Sequence, residues 1–160
     1  MNMSRAAQGI SLKLGVFGLL LVLSASACGS EPEAQSGGDA YRSEAQQMPL
    51  DEWTTGEIDQ DSGDTTDWRA IDVGETGKLT VELKSESKGA VLQLGLYDKY
   101  GVELGSEKRR AGDEAIKLVV KAKSGRYFVK IAHRDGDKTA YSVRAVLGDD
   151  GGGRKTGPDL

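Results

Sequence analysis

Four aspartates lie close together in one polar stretch of the chain. Asp59, Asp61, Asp64 and Asp67 fall within nine residues and are interleaved with serine, threonine and glycine. Carboxylate oxygens clustered on a loop suit calcium, which takes about six to eight oxygen ligands. The spacing does not complete an EF-hand, because Ala70 stands where the closing bidentate glutamate would be required. The stretch therefore predicts a calcium site, with a solvated turn whose side chains cap backbone groups as the alternative.

Basic residues are concentrated in the part of the chain that follows. Residues 51–75 carry nine acids and one base, whereas residues 76–147 carry fifteen bases and nine acids. A basic face that includes an aromatic ring suits lipopolysaccharide phosphates, acidic glycan or an acidic protein patch. The alternative is a solvated outer face whose lysines discourage pairing between sheet edges. On the strands predicted below, the outward residues of this face are Lys117, Lys121, Phe128, Lys130 and Arg144.

Residues typical of catalysis are scarce. His133 is the only histidine, and no nucleophile elbow, phosphate loop or paired metal motif accompanies it. One histidine and one cysteine leave little for a zinc site. We therefore predict a protein that is not an enzyme, has no catalytic residue and uses no cofactor other than calcium. His133 is expected at the surface, Trp68 in the core, and Arg109 and Arg110 in an exposed loop.

The N-terminal segment differs in composition from the rest of the chain. Residues 1–27 contain no acid, and the positive charges of Arg5 and Lys13 precede a ten-residue apolar run at 14–23. A permanent membrane span needs about 20 apolar residues, so this run is short for one. A basic start followed by a short apolar run is typical of a secretory signal.

The only cysteine of the chain follows this run. Ala25-Ser26-Ala27 leads directly to Cys28, and the sequence resembles the lipobox of bacterial lipoproteins, although an alanine stands where leucine is commonest. The resemblance implies cleavage before Cys28, diacylglycerol on its thiol and a fatty acid such as palmitate on its amino group, and several acyl chains anchor stably. Gly29 favours the outer membrane. An ordinary signal peptide cut after Ala27 would instead leave Cys28 as a free thiol.

The mature chain divides into a tether, one domain and a tail. Residues 28–160 carry 19 basic and 25 acidic side chains, which excludes bulk attraction to nucleic acid. Residues 28–53 and 148–160 are small, polar or glycine-rich without apolar periodicity, and we predict that both are disordered. The foldable region is 54–147.

Alternation of apolar and polar residues recurs through residues 54–147 and is the mark of half-buried strands. Glycine-containing turns separate the segments. Short strands without a convincing helix predict an all-β fold, an antiparallel β-sandwich of seven or eight strands, with a closed barrel as the competing architecture. The alternating segments are 68–73, 79–84, 92–97, 116–123, 127–132 and 141–146.

The same region resembles the bacterial pre-peptidase C-terminal domain, a jelly-roll-like sandwich. The resemblance implies a role in binding or stability, no catalysis, and in some members calcium near the N-terminal edge. No peptidase precedes the region within these residues, so we expect the module to act on its own lipid anchor. The matching pieces, in order, are Gly56-Glu57-Ile58, Asp67-Trp68, Gly77 to Val81, Leu94 to Asp98 with Gly101, Gly125 to Ile131 and Tyr141-Ser142-Val143.

These observations predict a lipid-anchored protein of the bacterial cell envelope, attached to the outer membrane through Cys28. Its domain is expected to be a noncatalytic accessory or scaffold module. The partner is expected to be a protein of an envelope complex for secretion, adhesion or motility. The alternative is a module that binds polysaccharide or calcium.

Overall fold

A computed structural model describes residues 36–148, which form nine β-strands and a short 3₁₀ helix at Arg42–Glu44. The predicted signal peptide, Cys28 and the tail beyond Gly148 lie outside the described residues. Within the described part, no helix is long and apolar enough to cross a membrane. The strands are β1 (Gln46–Gln47), β2 (Thr54–Ile58), β3 (Thr66–Val73), β4 (Gly77–Ser85), β5 (Val91–Asp98), β6 (Glu103–Arg109), β7 (Ala115–Ala122), β8 (Gly125–Asp135) and β9 (Thr139–Gly148).

The strands form two sheets. One has five strands in the order β1-β3-β8-β5-β6, and the other has four in the order β2-β9-β4-β7. All named pairings are antiparallel except that of β1 with β3. The predicted antiparallel sandwich is therefore confirmed, with nine strands rather than the expected seven or eight, and each of the six alternating segments corresponds to a strand.

The core lies between the inner faces of the two sheets. Leu79, Val81 and Leu83 of β4 are fully buried, as are Val129 and Ile131 of β8 in the opposite sheet. Each buried aliphatic side chain contributes about 1.5–3 kcal/mol relative to exposure. The alternation of apolar and polar residues along each strand therefore gives every sheet one apolar face, and the two apolar faces pack against each other.

The expected position of Arg109 is wrong, because this residue belongs to strand β6. Arg109, expected in an exposed loop, is the last residue of β6 and only 1% exposed. Register explains the burial, because Arg109 lies opposite Leu92 and its side chain points inward with that leucine. Its guanidinium donates a hydrogen bond of 2.7 Å to the carbonyl oxygen of Ala90. Arg110, the next residue, is exposed.

The tether prediction for residues 28–53 is wrong from Ser36 onward. Asp39 and Met48 are 2% and 1% exposed. The Met48 backbone donates a hydrogen bond of 2.9 Å to Ala70. A two-residue strand and a single buried methionine have no periodicity, so the sequence offered no signal for them.

The segment that contains β1, residues 46–51, also joins the two sheets. It pairs with β3 through β1 and then crosses to the other sheet, where Leu50 forms an isolated bridge with Ala145 of β9. The Asp51 backbone donates to the Ala145 carbonyl at 2.8 Å. The segment therefore closes one open side of the sandwich and belongs to the domain.

Candidate functional site

The predicted basic face is divided between the two outer surfaces of the sandwich. Lys117 and Lys121 lie on β7 and Arg144 on β9, in the four-stranded sheet. Phe128 and Lys130 lie on β8, in the five-stranded sheet. The prediction of one shared face is wrong, because alternation shows which residues point outward but not which sheet a strand joins.

The outer face of the five-stranded sheet brings aromatic rings together, and we call Trp68, Tyr97, Phe128 and Lys130 the aromatic face. Trp68 lies opposite Lys130, and Phe128 lies opposite Tyr97. The Trp68 and Tyr97 ring centroids are 5.1 Å apart, with planes inclined at 52°, a normal geometry for an aromatic pair. Gly95 leaves room for this pair, since a Cβ there would lie 2.9 Å from the Tyr97 ring.

Cations flank these rings. The Lys130 ammonium lies 5.5 Å from the Trp68 ring centroid, and the Arg42 guanidinium lies 5.5 Å from that of Phe128. Both distances are within the range of cation–π attraction. Trp68 was expected in the core, but it is half-buried on this outer face. The surface thus combines indole, phenol and cationic groups.

The rim of the aromatic face is polar. The Tyr97 hydroxyl donates a hydrogen bond of 2.8 Å to Glu103, and Arg134 donates one of 2.8 Å to Gln93. Burial and the neighbouring Glu103 carboxylate raise the pKa of Tyr97 to about 12, which keeps its hydroxyl protonated as the donor. Neither Trp68 nor Tyr97 is among the site residues predicted from the sequence. The sequence does contain one signal for Tyr97: it alternates with the buried leucines of β5, which predicts that its side chain lies on the outer face.

The opposite outer face is organised around one carboxylate. Glu82 accepts ion-pair contacts from Lys117 at 3.6 Å, Arg144 at 3.4 Å and Lys84 at 3.9 Å. Trp53 lies between two of these cations, with Lys84 at 4.5 Å and Arg144 at 4.6 Å from its ring centroid. These cations already have partners within the chain, so this face has less charge to offer a ligand.

The acidic stretch is folded as a turn. The backbones of Asp59 and Asp64 exchange hydrogen bonds of 2.8 and 3.0 Å, and the Asp59 carboxylate accepts from the Asp61 backbone at 3.0 Å. The Asp67 side chain is buried at the start of β3, outside the turn, and Asp64 is the member of the turn that lies near it. Across residues 36–148, no group of three or more His, Cys, Asp or Glu side chains could hold a metal ion. The four aspartates are therefore not brought together as a calcium site.

Asp67 instead belongs to a buried polar cluster with Asp39, Arg69 and Tyr141. Arg69 forms an ion pair with Asp39 and donates a hydrogen bond of 2.8 Å to the Tyr141 hydroxyl, which donates in turn to Asp67. Burial raises the pKa of Asp67 to about 7, against the opposing effect of the Tyr141 hydrogen bond. Burial and the nearby Asp67 also raise the pKa of Tyr141. Arg69 supplies the positive charge that two buried carboxylates require.

His133 is buried rather than exposed. Only 6% of its surface is accessible, and its Nε2 lies 3.0 Å from the backbone oxygen of Asp137. This contact spans the hairpin between β8 and β9. The residue is thus placed to stabilise a turn, and the expectation of a surface histidine is corrected.

Comparison with known proteins identifies the fold. No protein-family model matches the chain, and the search of curated proteins gives no match. The pre-peptidase C-terminal domain of a Bacillus anthracis collagenase superposes with a TM-score of 0.55 at 18% identity, covering 63% of this chain and 93% of that domain. A surface-associated copper-binding protein of Methylomicrobium album gives 0.48 at 7% identity, covering 65% of this chain and 98% of the other. A Yersinia pseudotuberculosis-derived mitogen gives 0.44 at 20% identity, covering 68% and 95%. The first similarity confirms that the chain has the fold of a pre-peptidase C-terminal domain.

Proposed function

We propose that this protein is a lipoprotein of the bacterial cell envelope, attached to the outer membrane through Cys28, and that its sandwich is a noncatalytic binding module. The aromatic face is the binding surface, and its partner is a protein of an envelope complex. The observation that carries the proposal is the pairing of Trp68 and Tyr97 on an outer sheet face beside Lys130.

The composition of the aromatic face supports a protein partner. Trp, Tyr and Arg dominate the binding energy of protein interfaces, whereas acidic residues are depleted there. Trp68 and Tyr97 are half-buried by the sheet, so little side-chain freedom is lost on binding. The opposite outer face differs, because Glu82 pairs with three of its cations.

The anchor rests on the sequence that ends at Cys28. A Cys28→Ala variant is expected to leave the membrane fraction, because acyl chains could no longer attach to a thiol. The measurement is membrane fractionation combined with metabolic labelling by a fatty acid. Retention of the variant in membranes at the wild-type level would refute the anchor.

Affinity isolation of the tagged, lipidated protein from crosslinked cells tests the binding surface. We expect the double variant Trp68→Ala with Lys130→Ala to recover at least about tenfold less partner, since hot-spot truncations cost about 2 kcal/mol or more. The matched control is Trp53→Ala with Lys84→Ala, which removes the same residue types from the opposite outer face. If both double variants lost partner equally, or if the Trp68→Ala with Lys130→Ala variant recovered as much partner as wild type, the partner would not bind at the aromatic face.

The cation beside the indole ring also favours a second candidate, an acidic polysaccharide. Sugar rings could lie against Trp68 while carboxylates of the polymer meet Lys130. Retention on an immobilised polyuronate would then fall with the Trp68→Ala variant and with added salt. Absence of retention by the wild-type protein would exclude this candidate and leave the protein partner.

A further inference from the structure

The loops of the sandwich form two ends of unlike charge. The acidic end comprises residues 59–65, 86–90, 110–114 and 136–138, which carry seven acids and three bases. The loops toward the other end, residues 51–53, 74–76, 99–102 and 123–124, carry two bases and three acids. The acidic end is therefore the more negative of the two, and the charge is unequal along the strands.

The second end also exposes apolar and aromatic groups. Tyr100, Val102 and Leu104 are 76%, 58% and 39% exposed. The Arg42 guanidinium lies beside Gly101 in the loop between β5 and β6. We call this region the tyrosine end. It holds three of the six exposed large hydrophobic side chains found among the described residues.

Cations accompany these side chains. The Lys99 ammonium lies 5.0 Å from the Tyr100 ring centroid, and Lys123 lies in the adjacent turn between β7 and β8. The Asp98 carboxylate is turned into its own loop, where it accepts hydrogen bonds of 2.9 Å from the backbones of Tyr100 and Val102. Tyrosines mixed with lysines are the residue types that occupy the headgroup region of bilayers.

We propose that the tyrosine end docks onto anionic phospholipid headgroups, so that the strands stand away from the bilayer and the aromatic face remains open at the side. The proposal rests on the anchor at Cys28 suggested above. An anionic surface attracts basic segments and repels the acidic end. Charge thus selects the orientation.

Chain length permits this orientation. Ten residues lie between Cys28 and Asp39, the first strongly buried residue of the described part, and eleven fully extended Cα–Cα steps span at most about 36–40 Å. Asp39 lies beside Trp68, because its carbonyl accepts from the Trp68 backbone. Trp68 is five strand steps from Val73 at the tyrosine end, a distance of about 17 Å. The anchor can therefore reach a bilayer that contacts this end.

Fluorescence quenching in reconstituted vesicles tests the orientation. The lipidated chain carries a fluorophore on Val102→Cys at the tyrosine end or, as the matched control, on Lys88→Cys at the acidic end. The vesicles contain phosphatidylethanolamine, phosphatidylglycerol and a headgroup spin-labelled lipid. We expect strong quenching at position 102 and little at position 88. Equal quenching, or stronger quenching at position 88, would overturn the proposal.

Charge reversal provides a second measurement. Lys99→Glu with Lys123→Glu is expected to reduce quenching at position 102 about tenfold, whereas Lys88→Glu with Arg110→Glu is expected to leave it unchanged. Undiminished quenching in the first variant would contradict headgroup docking. Flotation with the vesicles distinguishes failure of the docking from failure of the lipid anchor. Flotation without quenching at position 102 refutes the docking alone, and a protein would then be the partner to seek for the tyrosine end. Lack of flotation, with no lipid on Cys28 by mass spectrometry, refutes the anchor and the docking with it.

Discussion

Arg69 is the one cation that the structure places among the buried Asp39, Asp67 and Tyr141 side chains. The side chains of Arg69 and Asp39 are 5% and 3% exposed. Arg69→Met is expected to lower the free energy of unfolding by about 3–5 kcal/mol, because the Asp39 carboxylate, joined by that of Asp67 once it ionises, would remain buried without its cation. Arg126→Met removes an exposed partner of Asp72 and should have little effect on stability. Urea denaturation of both variants measures the difference, and equal losses would contradict a buried network.

Asp67 gives the domain a pH dependence with a definite sign. Its pKa is about 7 in the folded protein, against an ordinary value of 3.8. Between these values the unfolded chain has already released the proton that the folded protein keeps, so stability falls as pH rises from about 4 to about 7. Asp67→Asn has no proton to release and should flatten this slope. Chemical denaturation at about pH 4.5 and about pH 7.5 tests it, and an unchanged slope in the variant would assign the dependence to another group.

At the scale of elements, the segment that contains β1 is part of the folded domain. Met48 is 1% exposed in the core, whereas the preceding Gln47 is exposed. Met48→Ala should lower the free energy of unfolding by about 2–5 kcal/mol, since it leaves a cavity. Gln47→Ala is the neighbouring control and should have little effect. If thermal and urea denaturation found both variants as stable as wild type, the segment would be a tether after all.

The turn between β8 and β9 requires glycine for two reasons. Gly136 has a φ of 84°, and a Cβ there would collide with the backbone oxygen of Gly89. Gly112 has a similar φ of 91° but open space around it. Gly112→Ala should therefore show only the left-handed backbone cost, about 1–2 kcal/mol. Gly136→Ala should exceed it in the same denaturation assay, and a smaller loss would mean that the hairpin shifts without strain.

Sequence periodicity was sufficient to predict the strands that supply the core, but it did not predict the edge strands of the sheets. Leu79, Val81 and Leu83 alternate with polar residues, so β4 was predictable. Strand β6 buries only its last residue, Arg109, and has no such alternation. The aromatic face depends on which strands become neighbours, as Trp68 and Tyr97 meet across β8. That order is set by long-range pairing, which a local pattern does not contain.

At the scale of the whole molecule, the two sheets and the two ends differ in the chemical groups that they expose. The five-stranded sheet presents aromatic rings with cations, and the four-stranded sheet presents cations grouped around Glu82. The tyrosine end combines the exposed Tyr100 with lysines, and the acidic end faces the other way. A module docked by the tyrosine end would hold the aromatic face upright beside the bilayer, accessible to a protein in the same membrane.

Site-specific photocrosslinking in living cells tests the aromatic face most directly. Ser106 lies in the same cross-strand row as Trp68, Lys130 and Gly95, whereas Thr80 lies on the outer face of the four-stranded sheet. A photoreactive residue in place of Ser106 should capture one dominant protein, and the added Trp68→Ala change should abolish the product. The same residue in place of Thr80 should capture none. A product from position 80 alone, or equal products from both positions, would contradict the assignment of the aromatic face as the binding surface.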